Sequence, residues 1–210
     1  MQRMLVICDD KHHPAATPRA GLAPLSGQQY AFDWIEKAED WSAARMAAYP
    51  VVILTKANNV SASDATPWMR PEIETAFADY VRKGGGLLVI HSGTAGYDEA
   101  ATLRALIGGV FVRHPKQCPV TVTPHRDHPL ARGGAVFTQH DEHYFMAMDD
   151  AHIELLLTSS SEHGEQPAGW TRTEGDGRVC VLTPGHNLPV WLEPGYQTLI
   201  DNALQWCGKQ

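Results

Sequence analysis

The chain has 210 residues, 43% hydrophobic and 20% charged, with a formal charge of −7, a balance that indicates one globular domain over 1–210 with a sizeable core. The acidic charge supplies no basic stripe to neutralise phosphates, so neither nucleic acid nor an anionic membrane surface is expected as a partner. No apolar run approaches the roughly 20 residues that span a bilayer, and the opening "MQRMLVICDD" has too short an apolar stretch for a signal-peptide core, so a cytoplasmic protein is expected.

"RMLVICDD" is a short apolar run ending in acidic residues, a buried strand followed by a loop. The Pro- and Ala-rich "KHHPAATPRAGLAPL" reads as a loop with a short helix. In "QQYAFDWIEK" over 28–37, alternating Tyr30, Phe32 and Trp34 predict a second strand. "DWSAARMAA" places Trp41, Ala44 and Ala48 at helical spacing, with Asp40 as the expected N-cap. "VVILT" is a third buried strand. "RPEIETAFADYVRKGGG" is the clearest helix: Pro71 suits its first turn, Ile73, Phe77, Tyr80 and Val81 form an apolar face, and glycines end it. "LLVIH" is a fourth strand and "DEAATLRALIGG" another capped helix. Near-continuous apolar strands alternating with helices indicate a mostly parallel sheet covered on both faces.

The second half is less regular. "CPVTVTP" and "HIELLLTSS" read as strands, and "AGWTRTEGDGRVCVLTPG" as a hairpin turning at "EGDG". "PGYQTLIDNALQWCG" is a closing helix with Tyr196, Leu199, Ile200, Ala203 and Trp206 inward. The cysteines, Cys8, Cys118, Cys180 and Cys207, form no C-x-x-C pair. Cys8 and Cys180 lie in apolar strands and are expected to be buried free thiols.

Ligands of open parallel sheets bind beyond the carboxyl ends of the strands. That rule selects Asp9, Asp10, His12 and His13 after the first strand, and Lys56, Asn58 and Asn59 after the third. It also selects His91 to Tyr97 after the fourth and His186 after the late strand "RVCVLTP". Adjacent His12 and His13 cannot both face the cleft, and sequence does not phase them. Ser92 occupies a sharp strand-to-helix turn, but the stretch is I-H-S-G-T, without the G-x-S-x-G of a nucleophile elbow. In "TQHDEHY", an extended chain would turn His140 and Glu142 one way and Asp141 and His143 the other. His125 and His128 are expected in a surface turn, and His114 in a similar turn bordering the cleft.

Six stretches then carry a resemblance: "KGGGLLVIHSGT", "LIGGVFVRHP", "HPLARGG", "HDEHY", "GRVCVLTPGH" and "NALQWCG". In order and spacing they resemble the ThuA-like, or trehalose-utilisation, family over nearly the whole chain. The resemblance implies a flavodoxin-like, class I glutamine amidotransferase-like α/β fold of three layers. It also implies sugar metabolism, with a small-molecule sugar as partner and no nucleotide cofactor. Self-association stays open.

Two departures bear on activity. The elbow carries His91 and Ser92 where amidotransferases have cysteine, and His186 lacks the following His-x-Glu partner, so a glutaminase is not expected. The family's D-E-x-Y is present as Asp141, Glu142 and Tyr144. A keto-sugar needs a base to remove the proton beside its ketone and a cation or donor to hold the enolate oxygen. The expected machinery is a divalent metal, zinc by its ligands, held by His13, His91 and His186. Glu142, His91 and His186 are the catalytic candidates, with Glu142 as base or fourth ligand. Ser92, Tyr97, Asp141, Tyr144 and Asn58 are the substrate-binding candidates, and Trp68, Tyr97 or Trp191 are candidates to stack on a sugar ring. The alternative is a non-catalytic sugar-binding or interaction module on a disabled amidotransferase-like fold. A serine hydrolase using Ser92 and His186 is weaker, since no acidic partner is evident.

Overall fold

The computed structural model describes residues 1–27, 29–149 and 152–208. The strands are β1 (Gln2–Ile7), β2 (Tyr30–Ile35), β3 (Val51–Leu54), β4 (Gly86–Ile90), β5 (Gly109–Arg113), β6 (Cys118–Pro124), β7 (Phe137–Asp141), β8 (Phe145–Met148), β9 (Glu154–Ser161), β10 (Gly164–Glu174) and β11 (Gly177–Leu182). The helices are α1 (Ala16–Leu22), α2 (Ala43–Ala47), α3 (Pro71–Arg82), α4 (Ala101–Ile107), α5 (Leu188–Trp191) and α6 (Pro194–Cys207). Nine strands form one sheet in the order β2-β1-β3-β4-β11-β10-β9-β6-β7, and β5 pairs with β8 in a separate ribbon. The β2-β1-β3-β4-β11 half is parallel, whereas β10, β9, β6 and β7 join antiparallel.

Side chains of successive strand residues point to opposite faces, so a strand covered on both faces must be apolar throughout. In β1, Met4 and Val6 enter the core under α1, α5 and α6, while Leu5 and Ile7 enter the core under α2, α3 and α4. β3 divides as Val51 and Ile53 against Val52 and Leu54, and β4 as Leu88 and Ile90 against Leu87 and Val89. Each fully buried Val, Leu or Ile contributes roughly 1.5–3 kcal/mol, enough to fix the central strands against register slips. The result is the flavodoxin-like three-layer architecture with a mostly parallel centre. The four cysteines are buried free thiols, and among the described residues no helix is long and apolar enough to cross a membrane.

Several local readings change. Ser42, not Asp40, caps α2, its side chain accepting from Arg45 N at 3.1 Å, while Asp40 ends a preceding 3₁₀ turn. The first turn of α4 is capped from another helix, Glu74 of α3 accepting from the N–H groups of Thr102 and Leu103 at 2.7 and 3.1 Å. On α6, Trp206 is half-buried, and Leu204 and Cys207 complete the inner face. Of the predicted second strand over 28–37, Tyr30–Ile35 is observed and Gln28 lies outside the described residues.

His128 is buried rather than on a surface turn. Its Nδ1 accepts from Leu130 N at 3.1 Å and its Nε2 donates to Thr171 Oγ1 at 2.9 Å, an arrangement that requires the neutral ring. Burial lowers its pKa below the ordinary 6.5, against the nearby Glu154 carboxylate. The unfolded chain therefore binds this proton more readily, so His128 contributes full stability above its unfolded pKa and loses it progressively as pH falls from that value through the lower folded one. Chemical denaturation between about pH 7.5 and pH 5.5 should show wild type losing more stability on acidification than His128→Gln. Equal losses would contradict the assignment.

Candidate active site

The parallel strands deliver their loops to one end of the sheet, where a cleft of about 360 Å³ opens between His12, His13, Ala57, Ala95, Phe111, His114, Glu142, Tyr144 and His186. One ligand atom from each of His13, His91, Glu142 and His186 lies within 4.8 Å of the other three. His91 Nε2 is 3.5 Å and His186 Nδ1 is 3.2 Å from Glu142 Oε2. Glu142 Oε1 lies 3.4 Å from His114 Nε2 at the cleft mouth.

Each imidazole is aimed by a second contact. His13 Nδ1 donates to Asp10 Oδ1 at 2.7 Å, and Asp10 also accepts from the backbone N–H groups of His12, His13 and Ala57. His91 Nδ1 donates to the Thr183 carbonyl at 2.8 Å. A carbonyl and a carboxylate can only accept, so Nδ1 of each ring carries a proton and the neutral tautomer of each presents its Nε2 lone pair to the cluster. The His186 turn is held by Asp141, whose carboxylate accepts from Gly185 N at 2.9 Å and Asn187 N at 3.0 Å. Gly185 needs its positive φ of 134°, and its carbonyl accepts from Trp191 Nε1 at 2.7 Å. His13 Nε2, His91 Nε2 and His186 Nδ1 are buried without a hydrogen-bond partner among the described residues. Two of the three, His91 Nε2 and His186 Nδ1, face Glu142 Oε2.

Strain marks the same place. His91 has φ +47°, the left-handed region that L residues avoid, at the apex of the turn leaving β4. Its neighbour Gly93 packs so tightly that an added Cβ would stand 2.1 Å from the Leu54 carbonyl oxygen. Asp9, with φ +70°, makes the corresponding turn after β1. Its side chain accepts from Ala15 N at 3.0 Å, and its carbonyl accepts from the buried Lys56 ammonium.

The charges are mutually arranged. Burial alone would raise the Glu142 carboxyl, but His186 and His91 outweigh it and hold it well below the usual carboxylate range. Glu142 in turn raises His186 against the effect of burial. Burial dominates at His91 and lowers it, Glu142 opposing. Burial is likewise outweighed at Asp10, where His13 and backbone N–H groups bring the carboxyl down to about 2.

The sequence candidates divide accordingly. His13, His91, His186 and Glu142 come together, and His13 rather than His12 turns inward, His12 standing exposed at the rim. Tyr144 stacks on His91, ring centroids 4.1 Å apart, and Asp141 lies behind His186 as a support. The remaining candidates are elsewhere. Tyr97 is in the core, its hydroxyl donating to the Lys56 carbonyl at 2.7 Å. Asn58 ties two loops, donating to the Gly96 carbonyl and accepting from Met69 N. Ser92 is fully buried, and the elbow apex belongs to His91. Trp68 and Trp191 are core residues. The alternation expected in "TQHDEHY" fails because the chain leaves β7 at Asp141. Glu142 then turns into the cleft, while His143 packs away against Ser161 Oγ at 2.8 Å. Phe111 and the close approach of His114 to Glu142 were not singled out, since no strand was predicted at β5.

The histidine-lined cleft of this open, doubly covered α/β sheet lies beyond the carboxyl ends of the parallel strands, where ligands of such sheets bind. The chain belongs to the trehalose-utilisation (ThuA) family, whose model matches residues 3–207. Membership supports a carbohydrate-related role. No curated protein matches it. Among solved structures it is similar to a ThuA-like protein of Bacteroides uniformis, at 19% identity and TM-score 0.74 over 98% of this chain and 91% of that one. A second, from Parabacteroides merdae, gives 16% identity and TM-score 0.75 over 99% and 90%. A β-galactosidase of Rahnella matches with 31% of its length, at 13% identity and TM-score 0.70 over 98% of this chain. At these identities the likeness is one of fold.

The His91 backbone can be tested apart from its side chain. His91→Gly and His91→Ala remove the same imidazole, but only glycine relieves the positive φ. The glycine variant should be the more stable by about 1 kcal/mol in urea denaturation; an alanine variant of equal or greater stability would contradict the strained apex.

Proposed function

We propose that this chain is a metal-assisted carbohydrate-transforming enzyme acting on a keto-sugar or related glycoside by proton abstraction and elimination, or by hydrolysis. The observation that carries the reading is the convergence of three imidazole nitrogens on one carboxylate, all four ligand atoms within 4.8 Å of one another. Three nitrogens and an oxygen suit zinc, for which bonds of about 2.0–2.1 Å place tetrahedral ligands about 3.3 Å apart. The separations of 3.5 and 3.2 Å from Glu142 Oε2 to His91 and His186 are of that size. His13, His91 and His186 would hold the cation, and Glu142 would be its fourth ligand or the base beside it. Carboxylate– and carbonyl–imidazole pairs, as at Asp10–His13 and Thr183–His91, are the usual outer support of such ligands.

A bound cation would polarise a substrate carbonyl and favour negative charge on its oxygen. The chain's own groups do the rest. Where Glu142 serves as base, its Oε1, on the cleft side, takes a proton from the carbon beside the ketone, and a group on the next carbon departs. In the hydrolytic variant the same oxygen takes its proton from water. The stacked Tyr144 excludes water from His91 and fixes the ring plane. Glutaminase chemistry is not part of the proposal, because the elbow apex carries an imidazole where a thioester needs a thiol.

Metal titration of chelator-treated protein is the direct test. Wild type and His163→Ala should bind one zinc per chain. His91→Ala and His186→Ala should lose binding, and Asp10→Asn should weaken it about 10–100-fold. Unchanged zinc affinity in His91→Ala would overturn the reading and favour a binding module without metal chemistry.

A further inference from the structure

The cleft has two kinds of wall. His13, His186 and Glu142 make one side polar, while Phe111, Ala57 and Ala95 supply apolar surface. Phe111 is half-buried, with its ring centroid 4.1 Å from that of Tyr144, which itself stacks on His91. Phe111 and Tyr144 thus form an aromatic cluster beside the strained elbow, with the His114 ring centroid 5.8 Å from that of Phe111 and 6.2 Å from that of Tyr144. The β5–β8 pairing shifts register between Phe111 and Arg113, and the intervening Val112 is 55% exposed. Bulges beside active sites re-aim side chains in this way, and here the result is a phenyl ring in the cleft wall.

The electron-rich face of an aromatic ring attracts groups of partial positive charge. A pyranose offers such groups as C–H bonds on one face, with hydroxyls around its rim. We infer that Phe111 is the platform of a sugar subsite, with the C–H face of one pyranose ring on its phenyl face and the sugar hydroxyls turned toward the imidazoles and Glu142. The inference rests on the carbohydrate reading above and assigns its substrate contact to a residue outside the four-donor cluster.

Calorimetric titration and saturation-transfer NMR of the full chain with methyl α-D-glucopyranoside and trehalose test it, with sorbitol as a ringless control and zinc content measured in each sample. Wild type and Phe111→Trp should bind the glycosides. Phe111→Ala and Phe111→Leu should bind them about two- to tenfold more weakly, the range for one aromatic contact, with zinc content and sorbitol response unchanged. Leucine keeps the bulk without the ring face, so it guards against a folding defect in alanine. Equal glycoside affinity in both variants would overturn the platform and leave the carbohydrate reading standing. Loss of zinc in them would show Phe111 to be a structural support and overturn it too. Failure of wild type to bind either glycoside would overturn the platform, while the zinc titration separately decides the metal reading.

Discussion

Three imidazole nitrogens, buried without hydrogen-bond partners around one carboxylate, are the constraint on which this end of the molecule depends. Glu142 Oε2, 3.5 Å from His91 Nε2 and 3.2 Å from His186 Nδ1, faces two of them without closing a hydrogen bond. Asp10 and Thr183 fix the tautomers of His13 and His91 so that the free lone pairs face inward, and Asp141 grips the turn on both sides of His186. A polar cluster so firmly held and so incompletely hydrogen-bonded is what the proposed cation site would require.

The sheet makes the arrangement possible. Parallel neighbours β1, β3, β4 and β11 end at the same edge, so the loops after three of them bring His13, His91 and His186 together, and Asp10 from the first bonds to the N–H of Ala57 after β3. Glu142 arrives differently, from the antiparallel half, where the chain leaves β7 one residue earlier. The site therefore joins the two halves of the sheet. The left-handed turns at Asp9 and His91 re-aim the chain where regular strands would carry the side chains past the cleft. Such strain is affordable because Lys56, Thr183 and the close packing at Gly93 hold these turns from beneath.

The parallel half was legible because burial on both faces forces unbroken apolar runs, and "LVIC", "VVIL" and "LLVI" have no other economical reading. The same topology made three of the four cluster residues legible, as polar residues just past those runs. Glu142 was found through its D-E-x-Y context, and its inward turn was not readable because it depends on where β7 stops. β5 and β8 escaped notice: they are short, and every residue of β8 is half-buried, leaving no alternation to read. Phe111 escaped with them. Tyr97, Trp68 and Trp191 were better explained by size than by chemistry, since large aromatics go first to the core. His128 lacked any sequence mark of burial, because its partner Thr171 on β10 meets it only in three dimensions.

The central claim is that His13, His91, His186 and Glu142 share one cation. Anomalous diffraction at the zinc absorption edge, from crystals of chelator-treated protein soaked in zinc, tests it most directly. The account predicts one strong peak among the four groups, with three nitrogens at about 2.0–2.1 Å. Ordered waters bonded to His13 Nε2, His91 Nε2 and His186 Nδ1, with no anomalous peak between them, would contradict it.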